Sequence, residues 1–194
     1  GISITGMSKS EAKAAILKEF PWSMTVEYDS DQYKVTDLMA EKVDALLDEI
    51  YKDGSDPQES YTLDTSGLDE KVKAEAAACG AKWDKKAKNG SIDKFDAASG
   101  KFVFAGEENG FAIDQDKLAA DISQALKDKK FDAKITATGS DVAPEISAAS
   151  AKEKYKTISS FTTNTTANQN RNTNVRLAAE AINGTVIKPG QEFS

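Results

Sequence analysis

The chain offers chemistry few side chains to work with. Its 194 residues include no histidine and one cysteine, Cys79. Without an imidazole, Ser-His-Asp and Cys-His catalysis and histidine-ligated metal centres are excluded within the chain. A single thiol makes neither an internal disulfide nor a cysteine zinc site. Cys79 falls on the apolar face of an alanine-rich stretch, where a small buried cysteine is the ordinary case and burial raises a thiol pKa instead of activating it. Carboxylate pairs are plentiful: Glu107-Glu108, Asp114/Asp116 and Asp29/Asp31. A glycosidase needs two carboxylates converging in a cleft. These pairs read as turn and helix-cap acids, favoured there for local reasons. Asp114-Gln115-Asp116 opens like a calcium loop, but the glycine and the distant glutamate are missing at the required spacing. There is no glycine-rich phosphate loop. Asn-X-Ser/Thr at Asn89, Asn164 and Asn183 matches the glycosylation pattern, which is short and common. The residues therefore imply no catalytic group, no cofactor and no metal.

Two groups of side chains suit binding better. Trp83, Phe95, Phe102, Phe104 and Phe111 gather in the middle of the chain. Aromatic rings stack on sugars, and a place in the core is the competing role for each. Arg171 and Arg176 lie in a segment rich in Asn and Thr, with Asn168, Asn170 and Asn174 beside them. Arginine clamps a carboxylate bidentately, and the amides can bond peptide or hydroxyl groups. Helix caps and solvated surface are the competing roles here. The candidate ligand contacts are Trp83, Phe111, Arg171, Asn174 and Arg176.

Charge narrows the partners. The net charge is -7, but residues 1–150 hold 19 basic and 29 acidic side chains, and residues 151–194 hold 6 and 3. An acidic body argues against nucleic acid, whose phosphates require clustered Lys and Arg. No apolar run approaches the roughly 18 residues of a membrane span.

The elements that must position these groups are short. Residues 2–5 alternate like a strand. Ser8-Lys9-Ser10-Glu11 is a capping box for a helix ending at Pro21. Met24, Val26 and Tyr28 alternate as a half-buried strand, and Asp29-Ser30-Asp31 turns it into a second one. Met39, Val43, Leu46, Leu47 and Ile50 form a helix face. Residues 53–57 carry a linker signal, and residues 61–63 read as a short strand. Leu68, Val72, Ala76 and Cys79 line the next helix, with Gly80 placed as its left-handed stop. Ile92 to Phe95 and Phe102 to Phe104 flank a hairpin turn at 96–100. Asp114 caps a helix through Leu126, and residues 131–137 alternate as a strand. Helix–hairpin–helix thus occurs twice, over 8–51 and 66–128, which predicts an α+β fold. The C-terminal part reads as strand (155–163), helix (Val175, Ala178, Ala179, Ile182) and strand (185–187), with a turn at Pro189-Gly190. The expected organisation is a subdomain at 1–55, a second at 56–146, a linker at 147–154 and a C-terminal segment at 155–194.

Several spaced positions in that segment agree with one pattern. Ile158 to Thr163, Asn170-Arg171-Asn172-Thr173-Asn174-Val175, Leu177-Ala178-Ala179, Ile182 to Val186 and Lys188-Pro189-Gly190-Gln191-Glu192-Phe193-Ser194 resemble the opening of a VanW-like domain. That family's domain continues past the Phe-Ser, so the resemblance implies a truncated one. Phe102-Val103-Phe104, Glu107 to Gly110, Phe111 to Asp114, Leu118, Ile122, Ala125-Leu126 and Pro144-Glu145-Ile146 resemble, over about 60–146, the peptidoglycan-binding domain that precedes VanW domains and some L,D-transpeptidases. Residues 4–12 are similar to the lead-in such proteins carry after a membrane anchor. The resemblance implies a bacterial envelope protein outside the cytoplasm, membrane-anchored in its full length and contacting peptidoglycan through glycan or stem peptide. It connects the chain with vancomycin-resistance gene sets. It supplies no catalytic residue.

The expected function is a non-catalytic cell-wall module that binds peptidoglycan. Two other readings stand beside it. One is a fragment of an envelope enzyme with its active residues in the missing VanW-like continuation. The other is a stalk or module that contacts other envelope proteins.

Overall fold

A computed structural model describes residues 1–54, 60–96, 98–155, 159, 161–187 and 190–193. Among them the chain forms six helices and seven strands in small sheets, an α+β arrangement as its pattern predicts. It divides into two compact units, residues 1–85 with 111–141 and residues 86–110 with 142–194.

The first unit begins with α1 (Lys9–Glu19). The capping box is present: the Ser8 hydroxyl accepts from the Glu11 amide, and the Ser8 amide donates to the Glu11 carboxylate at 2.8 Å. Strands β1 (Thr25–Tyr28) and β2 (Asp31–Lys34) form an antiparallel hairpin with Val26 opposite Tyr33. Asp29 takes φ 54° at its turn, a left-handed conformation that Asp tolerates better than most residues. Helix α2 (Ala40–Ile50) buries Val43, Leu47 and Ile50, and α3 (Asp69–Trp83) buries Val72, Ala76, Cys79 and Trp83.

After the chain returns to this unit, α4 (Gln115–Lys127) starts from Asp114, whose carboxylate accepts from the Lys117 amide at 2.9 Å. It packs on α3 and buries Leu118, Ile122, Ala125 and Leu126. A strand at Lys134–Thr136 then pairs with β1 in parallel, with Ile135 opposite Val26. The main core joins Met24, Val26 and Val35 to Leu68–Trp83 side chains and to Leu118, Ile122, Leu126 and Phe131. A second cluster holds Ala12, Val43 and Leu47. The compact units therefore do not follow boundaries at 55 and 146: hairpin β1–β2 and the later helices share one core.

Strands β3 (Ser91–Asp96) and β4 (Lys101–Ala105) pair antiparallel in the second unit, with an irregularity between Ile92 and Lys94. In the first unit a further pair joins β5 (Gly110–Ile113) and, after the Lys134–Thr136 strand (β6), β7 (Gly139–Val142). The expected linker at 147–154 is a helix, α5 (Ala148–Glu153), packed on β3 and β4. Ser147 caps it, the Glu107 carboxylate accepts from the Ala148 amide at 2.6 Å, and Ala151 is buried. Gly90 makes this docking possible: its amide donates to the Ile146 carbonyl at 2.6 Å, and a Cβ there would meet the Ser147–Ala148 backbone. Helix α6 (Gln169–Ile182) ends the described elements and has no buried residue.

Other expectations are corrected. Residues 2–5, 61–63 and 185–187 form no strand. A short alternating run becomes a strand only when a neighbour satisfies its amides and carbonyls. Ile4 instead packs on the second cluster, and Leu63 on both. The expected strand at 155–163 has residues 156–158 and 160 outside the described residues, and its described residues carry no strand. The C-terminal segment is thus a helix without flanking strands among the described residues. Parts of the 53–57 linker signal and of the Pro189-Gly190 turn also lie outside the described residues, as does Ala97 in the β3–β4 turn.

Gly80 does not stop α3, which continues to Trp83. A Cβ at Gly80 would meet the Gln115 amide end and the Asp84 carboxylate, both side-chain atoms. A Cβ at Gly139 would meet the Ala112 carbonyl and the Phe111 ring. Gly80→Ala is therefore expected to change unfolding free energy by less than about 1 kcal/mol, helix propensity offsetting the displaced Gln115. Gly139→Ala is expected to lose about 2 kcal/mol through overpacking against backbone. Urea unfolding of the two variants checks the contrast.

Candidate functional site

Trp83 ends α3 and is 8% exposed. Its indole N–H donates to the Asp31 carboxylate at 3.0 Å, which ties the helix end to the β1–β2 turn. Lys82 reaches the same turn, 2.7 Å from the Asp31 carboxylate and 2.6 Å from the Gln32 carbonyl. Its ammonium also lies 5.2 Å from the Trp83 ring centroid. The bonds from Lys82 and Trp83 hold the Asp31 carboxyl down at a pKa of about 2.

Tyr28 covers Trp83 at a centroid distance of 5.7 Å and stacks on Phe111 at 5.0 Å and 27°. Phe111 is set by an antiparallel bridge to Lys85, with N–H···O distances of 2.9 and 2.8 Å. Asp84 adds to this hold by accepting from the Ile113 amide at 2.8 Å. Tyr28 and Phe111 are half-buried and pack against the core, and Asp29, Asp31, Lys82 and Lys85, in the segments that carry these rings, are exposed. The structure thus joins two predicted contacts, Trp83 and Phe111, through a third ring that the sequence reading assigned only to a strand. Tyr28 occupies the last position before a turn acid, and this spacing is the signal that sequence reasoning passed over.

Arg171, Asn174 and Arg176 lie in the other unit, on α6, and all are exposed. Asn174 is three residues after Arg171 and shares its side of the helix, while Arg176 lies about 200° further round. Arg176 pairs with Glu180 at 2.7 Å. The three do not converge on one point. The surrounding amides serve the helix start: Asn168 accepts from the Arg171 amide at 3.1 Å, and Asn172 bonds both the amide and the carbonyl of Thr166.

The carboxylate pairs occupy structural positions. Glu107 holds α5, Glu108 pairs with Lys88 at 3.0 Å, and Asp114 caps α4. Phe95 meets Phe102 edge-on at 5.2 Å, and Phe104 meets Tyr155 at 5.2 Å. Cys79 is fully buried, and burial together with the Glu75 carboxylate pushes its thiol up to about 11. Glu75 is itself buried and accepts from the Tyr33 hydroxyl at 2.8 Å and the Thr36 amide at 3.3 Å. Burial and this carboxylate push Tyr33 up to about 12. No helix among the described residues is long and apolar enough to cross a membrane.

The family described as "Putative peptidoglycan binding domain" matches residues 23–133, more than half of the chain. The match starts well before residue 60, where the sequence reading placed it, and so takes in hairpin β1–β2 with α2, α3 and α4. No curated protein and no solved structure matches the chain.

Cys79 and Tyr33 stay protonated longer in the folded chain than the usual thiol at 9.0 and phenol at 10.0. Their contribution to stability is complete below pH 9 and is lost as the pH rises through about 11 and about 12. Unfolding free energy from urea titrations is expected to fall across this window. In Cys79→Ala the fall is expected to begin about one pH unit later.

Proposed function

The chain belongs to the peptidoglycan-binding family that matches it over residues 23–133, and from this premise we propose that it is a wall-contacting module of a bacterial cell envelope. The family match is the observation that carries the reading. The grouping of Trp83 and Phe111 with Tyr28 on one unit supports it, because a ring cluster beside exposed charged groups suits a sugar polymer. Phe111 is the proposed glycan-side contact, with Trp83 supporting the ring cluster from within, and Arg171, Asn174 and Arg176 are the proposed contacts to stem-peptide carboxylates. The acidic body leaves affinity to stacking and hydrogen bonds in preference to net attraction toward an anionic wall. On the residues quoted for it, the segment 155–194 is read as the start of a VanW-like domain in a protein anchored outside the cytoplasm.

A second reading has its own observation. Helix α6 buries nothing, and Val175, Leu177 and Ile182 are each more than half exposed. That surface suits contact with another envelope protein.

Co-sedimentation with purified sacculi, with and without teichoic acids and at two salt concentrations, separates these readings. The module is expected to pellet under all four conditions. Phe111→Ala is expected to weaken pelleting several-fold, with a smaller loss for Arg171→Ala. A chain that remains in the supernatant with every preparation refutes wall binding and leaves the protein-contact reading.

A further inference from the structure

Resting on the wall-binding reading, we infer that the glycan-side contact is a ledge made by Tyr28 and Phe111, and that this ledge takes the uncharged face of an N-acetylated sugar in the glycan strand and not the stem peptide. Trp83 is a positioning residue beneath this ledge. Its ring is 8% exposed and its N–H is committed to Asp31, so it offers a ligand little surface. What it does is fix the height of Tyr28, which it touches at 5.7 Å. Phe111 is fixed from the other side, by the Lys85 bridge and by the bare backbone of Gly139, which leaves no room for a Cβ against its ring.

Tyr28 and Phe111 remain half-buried, stacked at 27° and placed at the surface by different strands. The Tyr28 hydroxyl has no hydrogen-bond partner among the described residues. It is free to bond a sugar hydroxyl or acetamido group. The rings bring apolar area at small entropic cost, as two-torsion side chains do.

Charge decides between the two components of the wall. Asp29, Asp31 and Asp84 flank the ledge in the chain segments that build it, against Lys82 and Lys85. Lys82 is already paired with Asp31 at 2.7 Å. Three carboxylates against two ammonium groups leave no excess positive charge for a peptide bearing free carboxylates. A neutral sugar face meets no such penalty.

The test is titration of the whole 15N-labelled chain with two probes, a β-1,4-linked N-acetylglucosamine tetramer and a stem pentapeptide with free carboxylates. The tetramer is expected to shift amide signals around Tyr28, Lys82 and Phe111, and the pentapeptide to leave them in place. Tyr28→Ala is expected to weaken tetramer binding roughly tenfold and Tyr28→Phe much less, in line with a stacking contact. Trp83→Phe is expected to keep most of the affinity, since it restores a ring beneath Tyr28. Shifts caused by the pentapeptide at the ledge, or tetramer shifts confined to other residues, would overturn the inference. Because the map is read on the unaltered chain, it stands even where a variant fails to fold. Sacculi that still pellet the chain while the tetramer leaves the ledge silent refute the ledge and retain wall binding. A ledge that takes the tetramer in a chain that ignores sacculi refutes wall binding alone.

Discussion

Val26 and Ile135 face each other in parallel strands although most of the chain lies between them. Parallel pairing cannot be made with a tight turn, so the intervening chain must travel out and back. Here it does so by way of α2, α3 and α4, of which α3 and α4 bring their apolar faces to the core that holds Val26 and Ile135, while α2 packs with α1. Met24, Val72, Ile122 and Leu126 meet in one core because that pairing brings their elements together. The ring cluster lies where the β1–β2 turn, the end of α3 and the start of β5 meet.

Local signals in the chain were legible where one residue and its near neighbours settle the outcome. The Ser8–Glu11 box, the Asp114 cap, the two hairpins and the apolar faces of α2, α3 and α4 depend on contacts within a few residues. Features that depend on distant partners were not. Gly80 looks like a helix stop, and only the folded chain shows α3 running past it, with the Gln115 and Asp84 side chains beside it. Residues 147–154 look like a linker because their small, polar composition is the same in a loop and in a short docked helix. Glu107, some forty residues away, and the bare Gly90 backbone decide for the helix. Residues 2–5 and 61–63 have the alternation of a strand but find no partner ladder.

The candidate site was partly legible for the same reason. Trp83 and Phe111 stand out by residue type, and their nearness to each other is a property of the closed fold. Tyr28 is a member only because the hairpin turn is folded over Trp83, and Asp31 becomes a fixed acid only with Lys82 and Trp83 beside it. On α6, residue type suggested a cluster that helix geometry separates, since Arg176 lies across the helix from Asn174. Composition marks which groups are able to bind. Their convergence belongs to the tertiary structure.

The chain passes between its two compact units at residues 85–86, 110–111 and 141–142, and this interleaving governs the order in which the molecule can be completed during synthesis. Hairpin β3–β4 emerges before β6 exists, so a local two-stranded ribbon is made while β1 still lacks its parallel neighbour. The ribbon in turn waits for α5, which leaves the ribosome only after the first unit has all its strands. Each unit is finished by a piece that follows part of the other, and neither can be released whole before the other has begun. Long closures of this kind slow folding and leave β1 with an open edge until β6 arrives, a period in which a chaperone has an unpaired strand to hold.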